Sequence, residues 1–257
     1  MPPIFGGCFS RARVHKVSAM THSTPVSRRN FIRGAGVTAV ATATVGPVTP
    51  LEGQASERSP DTPQNTHPTF FTQPEWAFIN AAVARLIPAE GPGPGGIAAG
   101  VPIFIDRQME SPYGHAADDY MQGPFHPETV PSLGYQLRYT PRELYKLGIA
   151  AADAACRKAY GKVFVELPAD IQVQFLTGME RGTVTFDAPP AAVFFQRLLK
   201  NTKEGYFADP LYGGNRDMGG WKLIGFPGAR ADFTDWIDQA GTQYPYGPVS
   251  IDGSRSP

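Results

Sequence analysis

Apolar residues recur every three or four positions in five stretches of this chain, and they hardly ever alternate. Trp76, Ile79, Val83 and Leu86 fall on one side of a helix. Thr72-Gln73-Pro74-Glu75 stands before them as a start signal. Thr72 can cap the free backbone N–H groups, Glu75 can reciprocate, and proline suits the first turn. Ile87-Pro88 ends the element, because a residue before proline avoids the helical region. A second helix is predicted over 101–109. Thr140-Pro141-Arg142-Glu143 repeats the start signal and opens a long third helix. Its stripe is expected at Leu144, Leu147, Ala151, Ala154, Ala155 and Ala159, with Gly161 as its left-handed cap. A fourth helix is predicted over 168–179. A fifth is predicted over 190–203, with Val193, Phe194, Leu198 and Leu199 inward and Gly205 closing it. Only 183–186 offers a short strand. The expected fold class is mainly α: a single helical domain over 70–257 with long Gly/Pro-rich loops at 88–100, 111–139 and 205–231.

The N-terminal stretch follows a different pattern. Residues 34–45 form a weakly apolar run of Gly, Ala, Thr and Val, bounded by Gly46-Pro47. It is shorter than the roughly 20 residues needed to span a bilayer and suits the core of a signal peptide. Before it stands Ser27-Arg28-Arg29-Asn30-Phe31-Ile32-Arg33, which reads as a twin-arginine export signal carried by Arg28, Arg29 and Phe31. Gly53-Gln54-Ala55 is a suitable cleavage site, Ala41-Thr42-Ala43 an alternative one, and Met20 an alternative start. The expected organisation is a signal region over 1–55, a polar, proline-rich flexible linker over 56–69, and the domain. The expected location is the periplasm. Twin-arginine export carries folded cargo, usually cargo with a cofactor already inserted, so the signal raises the question of which cofactor.

Charge changes once the leader is set aside. The chain has 23 basic and 23 acidic residues, but residues 1–55 hold six of the basic ones and only Glu52 of the acidic ones. The remainder carries 17 against 22, a net −5. That argues against nucleic acid or an anionic membrane surface as partner. Cys8 lies in the leader, which leaves Cys156 alone in an alanine-rich stretch. No internal disulfide is then expected, and Cys156 reads as a small core residue.

The search for chemistry returns little. Gly91-Pro92-Gly93-Pro94-Gly95-Gly96 has the spacing of a dinucleotide turn, but a helix precedes it and its two prolines have no N–H to offer a pyrophosphate. It reads as a solvent-exposed connector. His67, His115 and His126 lie apart, and His115 with Asp118 and Asp119 reads as a solvated loop. There is no C-x-x-C-H for haem and no G-x-S-x-G elbow. No catalytic, cofactor-binding or metal-ligating residue is assigned. The densest segment is 205–228, too aromatic and apolar to be disordered. Three readings stay open there. Tyr212, Arg216, Trp221 and Phe226 could anchor a protein interface, with Asp209, Asn215 and Asp217 supplying polar contacts. The segment could instead be a loop packed on its own domain. Or Asp209 or Asp217 could act as acid or base with Arg216 fixing a substrate.

The same residues carry a family resemblance. The twin-arginine leader, Leu86-Ile87-Pro88 and Gly100-Val101-Pro102-Ile103-Phe104-Ile105-Asp106 are among the matching pieces. They continue with Tyr120-Met121-Gln122-Gly123-Pro124-Phe125, Thr140-Pro141-Arg142-Glu143-Leu144-Tyr145 and above all 202–228. Together they resemble the small subunit, "subunit 3", of membrane-bound gluconate 2-dehydrogenase and of related fructose and glucose dehydrogenases. The likeness covers roughly 70–250. It implies a chain without a redox centre, bound to a large subunit that holds FAD and oxidises the sugar or sugar acid. It also implies a multi-haem cytochrome c subunit as a possible further partner. Membrane association would come only through the complex. The chain would help the large subunit mature and supply the export signal for the pair.

Overall fold

The computed structural model describes residues 67–242 and 244–255. The predicted export signal, including Arg28, Arg29 and Phe31, and most of the linker lie outside the described residues. Among the described residues six α-helices follow one another: α1 (Gln73–Leu86), α2 (Val101–Glu110), α3 (Pro141–Tyr160), α4 (Ala169–Glu180), α5 (Ala191–Phe207) and α6 (Gly219–Ile224). Among the described residues there is no strand, only two isolated β-bridges, Gly228 with Val249 and Val249 with Arg255. No helix among them is long and apolar enough to cross a membrane. The protein is mainly α.

The start signals work as their residue types dictate. Glu75 accepts from the Thr72 backbone N–H at 2.8 Å, and Glu143 accepts from that of Thr140 at 2.9 Å. Gly161 takes the left-handed conformation at φ 73° and ends α3. The buried carboxylate of Asp106 on α2 receives the backbone N–H groups of Thr69, Phe70 and Phe71 at 2.7–3.1 Å. It thereby fixes the chain just before α1.

Three local expectations are corrected. Residues 183–186 form no strand. The N–H groups of Thr183 and Val184 both donate to the Gly178 carbonyl, at 2.9 and 3.0 Å, and finish α4. Gly205 does not close α5, which runs on through Phe207. A Cβ on Gly205 would lie 2.7 Å from the Phe104 ring, so glycine here lets α5 approach α2. The buried face of α3 is Leu144, Tyr145, Gly148, Ile149, Ala152 and Cys156, rotated from the alanine stripe; Leu147 is exposed. Gly148 admits Phe194, whose ring would stand 2.4 Å from an added Cβ.

The core is aromatic. Phe78 meets Phe164 at 4.7 Å between ring centroids, and Phe194 meets Tyr145 edge-on at 5.9 Å. Cys156 is fully buried, and burial pushes its thiol up to about 12. This is an inert core cysteine. Helices α2 and α5 run antiparallel, since Phe104 packs at Gly205 while Tyr113, just past α2, bonds Arg197 and Asn201. The long loops gather at the two ends of this helix pair, 88–100 and 205–231 at one and 111–139 at the other.

Candidate docking site

At one end of the α2–α5 pair the segment from Phe207 to Phe226 builds a platform. Asp209 caps the short 3-10 turn Pro210–Tyr212 by accepting from the Leu211 N–H at 3.0 Å. Its carboxylate also accepts from the Ser250 hydroxyl and, at 2.8 Å, from the Ile251 N–H. The C-terminal segment is thereby tied to the platform. Gly214 then crosses α5 so closely that a Cβ would sit 2.1 Å from the Gly205 carbonyl oxygen. No other residue type fits there.

Asn215 closes the platform. It is fully buried at φ 45°, a left-handed conformation that asparagine tolerates better than most residues. Its amide donates to the Ala208 carbonyl at 2.9 Å and accepts from the Gly220 N–H at 2.8 Å. Asp217 and Met218 also have positive φ, 55° and 54°. Such backbone persists only when its surroundings over-determine it. Trp221 supplies part of that determination. It is buried, donates from Nε1 to the Phe207 carbonyl at 2.7 Å, and meets Phe226 edge-on at 5.2 Å.

The 88–100 loop lies against this platform. The Arg216 N–H donates to the Ala99 carbonyl at 3.0 Å, and the Tyr206 hydroxyl donates to that of Pro94 at 2.8 Å. Gly91 and Pro92 are exposed, as a solvent-exposed connector requires, but Gly95 and Gly96 are buried, which corrects that reading for the second half of the turn. The glycines serve close packing: a Cβ on Gly96 would lie 2.7 Å from Val83, and one on Gly100 2.7 Å from the Gly213 carbonyl oxygen. A turn so filled by its own protein, and carrying two prolines, does not fit a pyrophosphate.

The seven residues singled out from sequence therefore divide. Asp209, Asn215 and Trp221 point inward and hold the platform together. Tyr212, Arg216, Asp217 and Phe226 are exposed on it. Four further exposed apolar residues escaped the sequence reading: Phe207, Leu211, Leu223 and Ile224, the last two at 44% and 59% exposure. Helix α6, which displays two of them, was hidden because Gly219-Gly220 gives no helical propensity. Six large apolar side chains exposed on one short, firmly held segment make it a candidate docking surface. Asp209 is buried, and both its oxygens already accept hydrogen bonds from this chain, which gives the carboxylate a structural task at the root of the platform.

Elsewhere, Arg142 donates to His115 Nε2 at 2.6 Å, His126 lies 3.3 Å from Glu128, and His67 3.3 Å from Gln73. Asp118 and Asp119 are exposed. Among the described residues no three of His, Cys, Asp and Glu are grouped to hold a metal ion.

A model of the family described as gluconate 2-dehydrogenase subunit 3 matches residues 73–228. The match runs from the first residue of α1 to the turn after the platform and covers more than half of the chain. Comparison with curated proteins and with solved structures gave no match. On the strength of that family match, the chain belongs to the gluconate 2-dehydrogenase subunit 3 family.

Proposed function

We propose that this chain is a non-catalytic small subunit of a periplasmic, flavin-dependent sugar or sugar-acid dehydrogenase complex. It binds and stabilises the FAD-containing large subunit and escorts it through twin-arginine export. A multi-haem cytochrome c subunit completes the complex in this reading. The observation that carries it is the platform. Phe207, Leu211, Tyr212, Leu223, Ile224 and Phe226 are all more than 40% exposed around a base locked by Asn215 and Trp221. Large apolar side chains held rigidly in water favour a protein partner, since little ordering entropy remains to be lost on binding. In this reading FAD and haem belong to the partners.

Export is tested by replacing Arg28-Arg29 with Lys-Lys and following the flavoprotein. Under this proposal the flavoprotein stays in the cytoplasm. Its arrival in the periplasm in normal amount removes the escort role. The rival reading, a stand-alone enzyme using Asp209, Asp217 and Arg216, predicts sugar-directed turnover by the purified single chain.

A further inference from the structure

The opposite end of the α2–α5 pair carries a second apolar surface, on the loop 111–139. Tyr120 is 79% exposed, Leu133 63% and Val130 61%. Arg138 stands exposed at the C-terminal root of the loop, but between residues 111 and 137 there is no lysine or arginine, while Asp118, Asp119 and Glu128 are all exposed. A cleft of about 280 Å³ lies beside Tyr120, Phe125, Leu133 and Tyr135. The loop is not slack. The Arg197 guanidinium lies over the Tyr113 and Tyr135 rings, at 5.8 and 5.2 Å, and donates to the Tyr113 hydroxyl at 2.9 Å. Asn201 donates to the same hydroxyl at 2.8 Å, and the Tyr135 hydroxyl donates to the Tyr139 carbonyl at 2.7 Å. Both roots of the loop are thus pinned to α5 or to each other, and the tip is presented ready-shaped.

The two ends are joined along the surface. On α2, Arg107 and Glu110 are exposed. Arg107 lies beside Gly213 at the platform, and Glu110 pairs with Arg142 at 3.7 Å at the other end. Helix α2 has ten residues, about 15 Å. A standard interface of roughly 800 Å² per partner is about 30 Å across, so one interface can take in both ends.

We infer that the acidic tip of loop 111–139 is a second contact for the large dehydrogenase subunit, whose facing surface carries lysine and arginine around an apolar patch. The inference rests on the dehydrogenase-subunit reading. At the platform the exposed charges are mixed, Arg216 and Lys222 with Asp217, whereas the loop tip shows Asp118, Asp119 and Glu128 and would oppose lysine and arginine on the partner. Opposed charges of this kind set orientation and speed encounter.

Zero-length carbodiimide coupling of the intact purified complex tests it, because that reagent joins only a carboxylate and an amine already in contact. Amide links from Asp118, Asp119 or Glu128 to lysines of the large subunit are expected, with Tyr120 protected from oxidation relative to the free chain. If the complex assembles while these groups stay as reactive as in the free chain, the inference is overturned and the subunit reading stands. Links to a second copy of this chain, or protection only by anionic vesicles, overturn it equally. A chain that forms no complex sinks both. In a second arm the D118K/D119K/E128K variant, with an unchanged melting midpoint, associates roughly tenfold more slowly at low salt and normally at high salt. An unchanged rate counts against the inference. If that variant does not fold, Tyr120→Ala serves instead, since so exposed a ring contributes little to the fold; it weakens binding severalfold or the inference fails.

Discussion

The two ends of the α2–α5 pair hold their loops in opposite ways. At the platform the fixing groups are buried. Asn215, Asp209 and Trp221 satisfy backbone groups in the interior, and Gly205 and Gly214 let main chains touch. At the 111–139 loop one fixing group, Asn201, is buried, but the rest are half-exposed, and a single side chain, Arg197, stacks on both tyrosines. Buried polar bonds are costly to lose, because the partner left behind is stranded without water. Stacked surface contacts are individually weaker and are replaced in part by solvent. The platform is therefore over-determined and integral to the fold. The loop is held locally, through its two roots. The residues that shape each surface are not the residues displayed on it.

Trp221→Ala is the most severe test of that contrast. It removes a buried aromatic and leaves the Phe207 carbonyl without its donor, a loss of about 3–5 kcal/mol. Urea denaturation should show the whole transition moving to lower concentration. Arg216→Ala, on the same platform but with an exposed side chain, should stay within about 0.5 kcal/mol of the native protein. Equal losses for the two would erase the distinction between base and display.

Arg197→Met probes the other end and should cost less, about 1–2 kcal/mol. It keeps the apolar stem while removing both stacked contacts and one of the two donors to Tyr113, the other being Asn201. Amide exchange should quicken across 113–136 and stay slow in α1, α4 and the platform. Were the platform amides to quicken equally, the two ends would be one cooperative unit and the comparison would fail.

What the sequence made legible follows from range. Capping boxes at Thr72 and Thr140 and the glycine cap at Gly161 are contacts within one turn, so their residues announce them. The mainly α class and the five larger helices follow from spacing alone. The face of α3 was misjudged because Gly148 and Tyr145 break the apolar stripe. Their burial depends on Phe194 and Asn201, some 46 and 56 positions away. Gly205 read as a terminator for a related reason: a glycine that ends a helix and one that admits Phe104 look identical in sequence. At the platform the residue types were right and their directions were not. Nothing local says that Asn215 turns inward to Ala208 and Gly220 while Ile224 turns outward.

The smallest effect expected is the most specific to the loop. Tyr135→Phe deletes the hydrogen bond to the Tyr139 carbonyl and keeps the ring under Arg197, a cost of about 1 kcal/mol near neutral pH. Burial holds the Tyr135 phenol up to about 12, against an ordinary value of 10, and Arg197 opposes the shift without cancelling it. Between those values the unfolded chain releases this proton and the folded chain keeps it. The folded state then binds more protons, so stability that is complete below pH 10 declines as pH rises toward 12. Phenylalanine cannot take part in that decline. The gap between native protein and variant should therefore narrow from pH 9 to pH 11, as read from urea midpoints at both. Burial of Tyr145, whose phenol is also raised, is common to the two proteins and drops out of the difference. A constant gap would mean that Tyr135 already meets solvent, and that Arg197 grips the loop at Tyr113 alone.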